Sequence, residues 1–298
     1  MRNQQNPSDS QWTILKLLKW TTSYFKNHNL ESPRASAEIL LSYALKVKRI
    51  DLYLRHDQPL SEKELLLFKT LIKRRIDREP VAYIIGFKEF WSMEFEVTTD
   101  VLIPRPETEC VVAEAISLLP ANNDSSSKRI LEIGTGSGAI VLALSSERPN
   151  HIFFASDHSV KAIAVALKNA KRHELDKKIS FFSAEWFEPL SERMQPFDMI
   201  LSNPPYVQSE AISGLQPEIH KYEPIEALNG GKDGLGSIKH IIEFGHGYLR
   251  SGGSLILEIG CDQKARVHQI IEQCGQYYEI AFIKDFSGHD RVVRMKKK

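Results

Sequence analysis

From about residue 130 onward, this 298-residue sequence alternates short apolar runs with helical patterns, and this alternation restricts the fold more than any other feature. Segments of helical spacing such as 160–172 lie between consecutive apolar runs. Strands that alternate with helices in this way form a parallel, doubly wound sheet of the α/β class. The strands are predicted at 130–133, 152–156, 179–183, 197–202 and 254–259.

Two further apolar stretches near the carboxyl terminus, 278–284 and 291–295, are separated only by a short link at 285–290. Parallel neighbours need a crossover of about a dozen residues or more, whereas antiparallel neighbours can be joined by a tight turn. We therefore predict a mostly parallel, seven-stranded sheet whose last strand enters antiparallel.

The first part of the chain, roughly 80 residues, carries helical signals without any alternation with strands. Polar residues at 8–10 are candidates for the cap of a first helix. Trp12, Leu15, Leu18 and Phe25 follow at roughly helical spacing, so we expect them to face inward together.

Two later helices carry start signals of their own. Ser32 followed by proline is typical of an N-cap and a first helical position, and it predicts a helix over 34–46. A capping-box pattern that opens at Ser61 precedes a helix predicted over 65–78. Consecutive helices without strands indicate an all-helical domain that is separate from the sheet.

The sequence between these helices and the sheet is aromatic and β-branched, and its alternation at 93–97 favours a β-hairpin. A chain of this length is typical of about two domains. We therefore predict an N-terminal helical domain at 1–82, a β-hairpin connector at 83–103 and a catalytic domain at 104–298.

The first predicted strand of the sheet is followed by a glycine-rich turn that leads into a helix. Ligands of such sheets bind beyond the carboxyl ends of the strands, where glycines let backbone amides approach a nucleotide-like molecule. The alternative is a glycine-rich helix start that binds no ligand. The candidate cofactor-binding residues of this turn are Gly134, Thr135, Gly136, Ser137 and Gly138.

Asp157 closes the next predicted strand, about 20 residues downstream of the glycine turn. A carboxylate at this point can accept hydrogen bonds from both ribose hydroxyls of a nucleotide-like cofactor. The alternative is that Asp157 caps the helix that follows it. Nicotinamide dinucleotides and S-adenosylmethionine both fit these features.

The strand predicted at 197–202 continues directly into the sequence Asn-Pro-Pro-Tyr. The side-chain oxygen of Asn203 and the carbonyl of Pro204 are two acceptors on a backbone that the prolines hold rigid, so both can face one planar NH2 group. Such acceptors favour the positive charge that grows as the nitrogen attacks a methyl sulfonium. Tyr206 would stack beside the planar group. Hydride transfer has no need of this arrangement, which favours S-adenosylmethionine over nicotinamide.

The structural alternative for this motif is a proline-rich turn after a buried strand. The catalytic interpretation is preferred because the same sheet also carries the glycine turn and Asp157. The candidate catalytic residues are Asn203, Pro204, Pro205 and Tyr206.

Composition narrows the possible classes of function. The net charge of +1 argues against a protein that binds nucleic acid mainly by neutralising phosphates. Three cysteines without a C-x-x-C pair favour reduced thiols, and the 10 histidines show no metal-ligand spacing, so we expect no metal. The polar start and the absence of a membrane-length apolar run predict a cytoplasmic location.

The glycine turn and the Asn-Pro-Pro-Tyr motif together resemble S-adenosylmethionine-dependent methyltransferases that modify planar amino or amide nitrogens, a class that includes DNA adenine methyltransferases. Further motifs over nearly the whole chain are similar to a narrower family, the peptide chain release factor glutamine methyltransferases. They are Pro-Val-Ala-Tyr-Ile-Ile-Gly at 80–86, Glu-Phe-Trp at 89–91, Leu-Ile-Pro-Arg-Pro-Glu-Thr-Glu at 102–109, Glu-Trp-Phe at 185–187, Glu-Pro at 223–224 and Ala-Leu at 227–228.

The resemblance implies a Rossmann-like methyltransferase domain with S-adenosyl-L-methionine as cofactor, preceded by a helical domain that helps to dock the substrate. It implies methylation at the side-chain nitrogen N5 of the glutamine in the Gly-Gly-Gln motif of release factors, which are the expected partners. Asn203, Pro204, Pro205 and Tyr206 would hold that glutamine, and we expect no direct contact with nucleic acid or membrane. The implied cofactor-binding residues are Gly134, Thr135, Gly136, Ser137, Gly138, Asp157, Trp186 and Asn203.

Several alternatives stay open in the sequence. Trp186 follows the third predicted strand, where its indole could cover an adenine or simply belong to the core. The long stretch 207–236 is interpreted as a substrate-side loop. Other possible functions are N5-glutamine methylation of a ribosomal protein, N6-adenine methylation of nucleic acid with the same four-residue motif, and non-catalytic cofactor binding.

Overall fold

The computed structural model of the protein describes residues 12–119, 127–188, 190–191 and 195–298. The chain divides into two compact units, Met1–Ile85 and Gly86–Lys298. The cap candidates predicted at 8–10 lie outside the described residues. No helix in the described part of the chain combines the length and the apolar character needed to cross a membrane.

The first unit is helical, with one apolar core of its own. Over its described residues, 12–85, the α-helices are α1 (Ile14–Asn27), α2 (Pro33–Leu45), α3 (Asp51–Leu54), α4 (Glu62–Ile76) and α5 (Val81–Ile85). The capping box predicted for α4 is confirmed, because Ser61 Oγ accepts from the Glu64 amide and the Glu64 carboxylate accepts from the Ser61 amide. Ser32 precedes α2 but has a left-handed φ of 44°, and its side chain makes no cap hydrogen bond.

The predicted inward face of the first helix is wrong in part. Leu18 and Phe25 are buried as expected, but Trp12 is 40% exposed and Leu15 is 38% exposed. Trp12 precedes the helix, whose N-cap is Thr13, and Leu15 lies beside the buried face. That face consists of Ile14, Leu17, Leu18, Thr21 and Phe25.

The second unit contains a hairpin of β1 (Phe87–Phe90) and β2 (Met93–Glu96), and a sheet that has seven strands within the described residues. The strands of the sheet are β3 (Arg129–Ile133), β4 (Ile152–Asp157), β5 (Ile179–Ser183), β6 (Phe197–Ser202), β7 (Leu249–Glu258), β8 (Tyr277–Lys284) and β9 (Asp290–Lys297). Their order is β5-β4-β3-β6-β7-β9-β8. The first five in this order are parallel, and β9 is antiparallel to both of its neighbours. The predicted doubly wound, mostly parallel sheet is confirmed.

Helices cover both faces of the sheet. In the described part of the second unit they are α6 (Glu109–Leu118), α7 (Ala139–Glu147), α8 (Val160–Arg172), α9 (Pro217–His220), α10 (Gly236–Gly245) and α11 (Lys264–Cys274). Successive side chains of a strand point to opposite faces, so Ile130 packs in the apolar cluster of α6 and α7 while Leu131 packs in that of α10 and α11. Pro106–Thr108 forms a 3-10 turn, and α6 follows it from Glu109.

The register of the central strands brings the candidate functional segments together. Ile133 at the end of β3 lies opposite Ser156 of β4 on one side and Ser202 of β6 on the other. The residues that follow, which begin at Gly134, Asp157 and Asn203, therefore lie at the same edge of the sheet. This edge is where doubly wound sheets bind their ligands.

The hairpin is fixed to this arrangement through Asn169, a fully buried residue of α8. The side chain of Asn169 accepts from the Glu96 amide at 2.7 Å and donates to the Glu96 carbonyl at 3.0 Å. It also donates to the carbonyl of Ser137 in the glycine turn at 2.9 Å. One buried amide therefore links β2, α8 and the glycine turn, and each of its polar atoms has a partner.

Candidate active site

A cavity of about 560 Å³ lies beyond the carboxyl ends of β3, β4, β5 and β6. It brings together most of the residues that the sequence analysis singled out, although they come from distant parts of the chain. Of the predicted site residues, Gly138 and Tyr206 do not line it. Those that do are Gly134, Thr135, Gly136, Ser137, Asp157, Trp186, Asn203, Pro204 and Pro205.

The glycine turn has a backbone that only glycine adopts easily. Gly136 has a φ of 55° and Gly138 has a φ of 83°. A Cβ on Gly138 would lie 3.0 Å from Leu142 Cδ1 and 3.3 Å from the Cβ of Ala166, so the residue also permits close packing at the start of α7. Gly138 therefore shapes the turn from behind, while the residues before it face the cavity.

Glu132 lies beneath this turn, inside β3, and is 1% exposed. Its Oε2 accepts from Thr135 Oγ1 at 2.7 Å and from the Val141 amide at 3.1 Å. Burial raises the pKa of Glu132 to about 8, although these two hydrogen bonds act in the opposite direction. The carboxyl group thus connects the strand, the turn and the first turn of α7, and it lines the cavity.

Asp157 is 7% exposed and its two oxygens hold two backbone segments. Oδ2 accepts from the Gly136 amide at 2.8 Å, and Oδ1 accepts from the Ser159 amide at 2.9 Å. The N-cap of α8 is Ser159, which accepts from the Ala162 amide. Asp157 is therefore not the cap of that helix, and its carboxylate lies at the edge of the cavity against the glycine turn.

Trp186 lines the same cavity from the segment after β5. Its φ of 51° is unusual for a residue with a side chain and is sterically strained. The indole packs on His240 of α10, with ring centroids 5.1 Å apart. A flat aromatic surface is thus held at the cavity by packing from behind.

The Asn-Pro-Pro-Tyr motif begins where β6 ends. Ser202, the last residue of the strand, donates from Oγ to the Ile133 carbonyl at 2.8 Å, which joins the ends of β6 and β3. Asn203 Nδ2 donates to Thr108 Oγ1 at 3.1 Å. The hydroxyl of Tyr206 donates away from the cavity, to Glu258 Oε1 at 3.2 Å.

Glu258 is the last residue of β7 and is 1% exposed. Besides the Tyr206 bond, it accepts from Thr108 Oγ1 at 2.7 Å. Burial raises the pKa of Glu258 to about 7, against the opposing effects of Thr108, the charge of Arg291 and Tyr206. Arg291 is itself paired with Asp285 at 3.2 Å.

The stretch 207–236 is ordered into short elements: 3-10 turns at Ser209–Gly214 and Ile225–Ala227, and helix α9. Glu223, which is 5% exposed, accepts from the Ile103 amide at 3.2 Å and from Arg105 at 2.5 Å. Glu226 accepts from His158 at 3.0 Å, and this contact raises the pKa of the histidine. The stretch thus forms one wall of the cavity, which it lines with Pro224, Glu226, Ala227 and Asn229.

Sequence reasoning assigned no role to four buried groups of this site: Thr108, Glu132, Glu223 and Glu258. A signal for Glu132 and Glu258 exists, because a carboxylate inside an otherwise apolar strand needs a specific partner. Thr108 and Glu223 lie in irregular segments and had no such signal. Among the described residues, no cluster of three or more His, Cys, Asp or Glu could hold a metal ion.

Comparisons with known protein families and structures agree with the fold and the position of the cavity described above. Residues 16–86 match the PrmC N-terminal domain family, and residues 114–218 match the methyltransferase small domain family. The catalytic domain of hMettl16, solved in complex with MAT2A 3′UTR hairpin 6, has a similar fold with a TM-score of 0.53 and 15% identity over 79% of this chain and 82% of that one. The fold is therefore that of a methyltransferase.

Relatives with much higher identity extend over almost the full length. The release factor glutamine methyltransferase of Rhodopirellula baltica is 37% identical over 98% of this chain and 99% of its own. That of Geobacter sulfurreducens is 40% identical over 95% and 96%, and that of Coxiella burnetii is 41% identical over 88% and 91%. The fold, the cavity at the strand ends and these relatives together show that the chain belongs to the release factor glutamine methyltransferase family.

Proposed function

We propose that this protein transfers a methyl group from S-adenosyl-L-methionine to the side-chain nitrogen N5 of the glutamine in the Gly-Gly-Gln motif of peptide chain release factors. One observation carries the proposal: Asn203 and Pro204 lie in the same cavity as the glycine turn and Asp157. Acceptors for a planar NH2 group thus lie beside a nucleotide-type site. The names of the full-length relatives support the substrate.

The residues of the cavity fit S-adenosylmethionine, which supplies an electrophilic methyl group when it is bound. Each oxygen of Asp157 accepts one backbone hydrogen bond, so each keeps capacity for a ribose hydroxyl. The glycine turn leaves space for a ligand to approach the backbone closely, because a Cβ on Gly134 or Gly136 would meet no atom within 4 Å. The indole of Trp186 offers a flat surface for the adenine.

The chain's own part in the reaction is to orient the amide and stabilise charge. The lone pair of an amide nitrogen is delocalised, so the nitrogen is a weak nucleophile. Asn203 Oδ1 and the Pro204 carbonyl accept from its two hydrogens and favour the positive charge that develops on it as the methyl group leaves the sulfonium, which would become a neutral thioether. One of the two nitrogen protons then passes to solvent, so the methylated amide is neutral. Pro204 and Pro205 restrict the backbone, which keeps both acceptors in place before the substrate arrives.

The helical unit serves as a docking surface for the protein substrate in this proposal. Its described residues expose large apolar side chains that include Trp12, Trp20, Leu54 and Leu66. Trp20 stacks on Tyr24 with ring centroids 4.9 Å apart, which places an aromatic row on α1. Exposed aromatic and aliphatic groups of this kind are typical of protein interfaces.

We place the reaction in the cytoplasm, in keeping with three unpaired cysteines.

A competition assay with labelled S-adenosylmethionine tests the substrate. The wild-type enzyme is expected to label a bacterial release factor and to leave a Gly-Gly-Glu version of that factor unlabelled, because the carboxylate offers no nitrogen to methylate. Ribosomal protein and duplex DNA are the competing substrates in the same reaction. Preferential labelling of either one would contradict the proposal and indicate a different methyltransferase.

Asp157→Ala is expected to weaken cofactor binding about tenfold or more, because hydrogen bonds to a charged group contribute about 1.5–3 kcal/mol each. Calorimetric titration of the free enzyme measures this without any protein substrate. The matched control is Asp262→Ala, which removes a 77%-exposed carboxylate outside the cavity. Equal affinities for wild type, Asp157→Ala and the control would show that Asp157 does not contribute to cofactor binding.

Asn203→Ala should lower kcat for methylation of the release factor roughly a hundredfold, by analogy with the loss of one oxyanion-hole donor. Single-turnover kinetics at saturating cofactor give the rate of the chemical step. Asn150→Ala, at an exposed turn outside the cavity, is the control. Turnover near the wild-type rate in Asn203→Ala would refute the role of Asn203 as an acceptor.

The docking surface is tested with the full chain and three separate substitutions, Trp20→Ala, Leu54→Ala and Leu66→Ala. At least one should raise KM for the intact release factor about fivefold or more, while kcat stays constant, since an anchor residue contributes more than about 1 kcal/mol. Phe286→Ala removes an aromatic ring that is 97% exposed in the other unit and serves as control. An unchanged KM in all three variants would contradict docking through these residues.

A further inference from the structure

The two ends of the Asn203 amide have opposite hydrogen-bonding roles, so its orientation decides what it can do. Nδ2 only donates and Oδ1 only accepts, and the proposed function rests on Oδ1 accepting from the substrate NH2 group. Nδ2 donates to Thr108 Oγ1 at 3.1 Å. Oδ1 is therefore the end of the amide that Thr108 leaves available.

Thr108 can act only as an acceptor towards Asn203, because its single hydroxyl proton is donated to another residue. Thr108 is 4% exposed, and its Oγ1 donates to Glu258 Oε2 at 2.7 Å. Above its pKa of about 7, Glu258 is a carboxylate and can only accept, so it then fixes the direction of this bond. A reversed Asn203 amide would bring Oδ1 against a hydroxyl oxygen with no proton to offer, and that arrangement is unfavourable.

Glu258 is placed for this task by the register of the sheet. Leu257 of β7 pairs with Ser202 of β6, so the next residues on the two strands are Glu258 and Asn203. The other carboxylate oxygen of Glu258 accepts from Tyr206 Oη at 3.2 Å. One buried carboxylate thus bonds directly to Tyr206, the last residue of the Asn-Pro-Pro-Tyr motif, and through Thr108 to Asn203, its first residue.

We propose that Glu258 and Thr108 are positioning residues for methyl transfer: through a directional chain of hydrogen bonds they hold Asn203 with Nδ2 on Thr108 and Oδ1 towards the substrate amide. Neither residue needs to touch the reacting atoms. Glu258 orients Thr108 and Tyr206, and Thr108 orients Asn203. This inference deepens the proposed function and rests on it for the identity of the amide that Asn203 meets.

Shape-matched substitutions separate this role from simple packing. Thr108→Val keeps the shape and removes the hydroxyl, whereas Thr108→Ser keeps the hydroxyl. Glu258→Gln puts an NH2 group against a hydroxyl that must donate. We expect Thr108→Val and Glu258→Gln to lower kcat roughly 10–100-fold, the range found for outer partners of metal-binding side chains. Thr108→Ser should recover most of this loss.

The affinity for S-adenosylmethionine should change little in these variants, and each should remain folded, with a thermal midpoint lowered only by the loss of a buried hydrogen-bond partner. The matched control is Glu114→Gln on α6, a carboxylate paired with Arg294 at 2.9 Å and outside the cavity. It should retain wild-type kcat. The proposal would be overturned if the fall in kcat came with a fall of similar factor in cofactor affinity and with a large fall in the thermal midpoint. That combination would indicate a structural role only.

A second measurement does not depend on activity. In a sample with 15N-labelled asparagine, the side-chain NH2 signals of Asn203 are assigned by their loss in Asn203→Ala. We expect slow exchange of the Nδ2 hydrogen held by Thr108, and faster exchange in Thr108→Val and Glu258→Gln but not in Glu114→Gln. Equal exchange rates in all variants would overturn the proposal.

The two measurements also distinguish failure of this inference from failure of the proposed function. If the wild-type enzyme does not methylate the release factor, the proposed function fails and the exchange of Asn203 alone decides the positioning role. If the wild-type enzyme is active and Thr108→Val retains its kcat, the proposed function stands and the positioning role is refuted.

Discussion

The parallel pairing of β3 with β6 is the constraint on which the candidate site depends. It sets Ile133 opposite Ser202, and the Ser202 hydroxyl donates to the Ile133 carbonyl at 2.8 Å. Both strands must therefore end at the same level, so the glycine turn and Asn203 emerge side by side. Helices on both faces bury this pair of strands, which leaves their carboxyl ends as the accessible edge.

Local sequence patterns predicted the elements of this sheet well because most of its strands contain a short apolar run and end at a polar residue. The strands at 179–183 and 197–202 and the helix at 160–172 coincide with β5, β6 and α8. The same reasoning failed at Trp12 and Leu15, where apolar side chains lie outside the buried face of α1. Spacing alone cannot tell a residue before a helix from one within it, and an apolar side chain can also remain exposed for an interface.

The hydrogen bonds around Asn203 could not be predicted from local patterns, since they join residues far apart in the chain. Thr108 and Glu258 are 150 residues apart, and Asn203 and Thr108 are 95 apart. Thr108 lies in a 3-10 turn with no periodicity, and only the register of β7 against β6 places Glu258 next to the motif. The sequence therefore indicated which residues line the site, but not which residues hold them in position.

Two of the groups that hold the site residues in position, Glu132 and Glu258, are carboxyls that the fold buries at an energetic cost. Burial raises the pKa of Glu132 to about 8 and that of Glu258 to about 7 in the folded state, above the value near 4.3 expected in an unfolded chain. Their contribution to stability is full below about pH 4 and is lost as the pH rises through 7 to 8, because the folded state then gives up protons that it holds more tightly. Apolar residues at both positions would avoid this loss of stability.

Only a hydrogen-bond acceptor at these two positions can hold the neighbouring segments in place. Glu132 holds Thr135 and the Val141 amide in the glycine turn, and Glu258 holds Thr108 and Tyr206 beside Asn203. The stability lost near neutral pH is thus linked to the two segments whose geometry the methyl-transfer reaction requires.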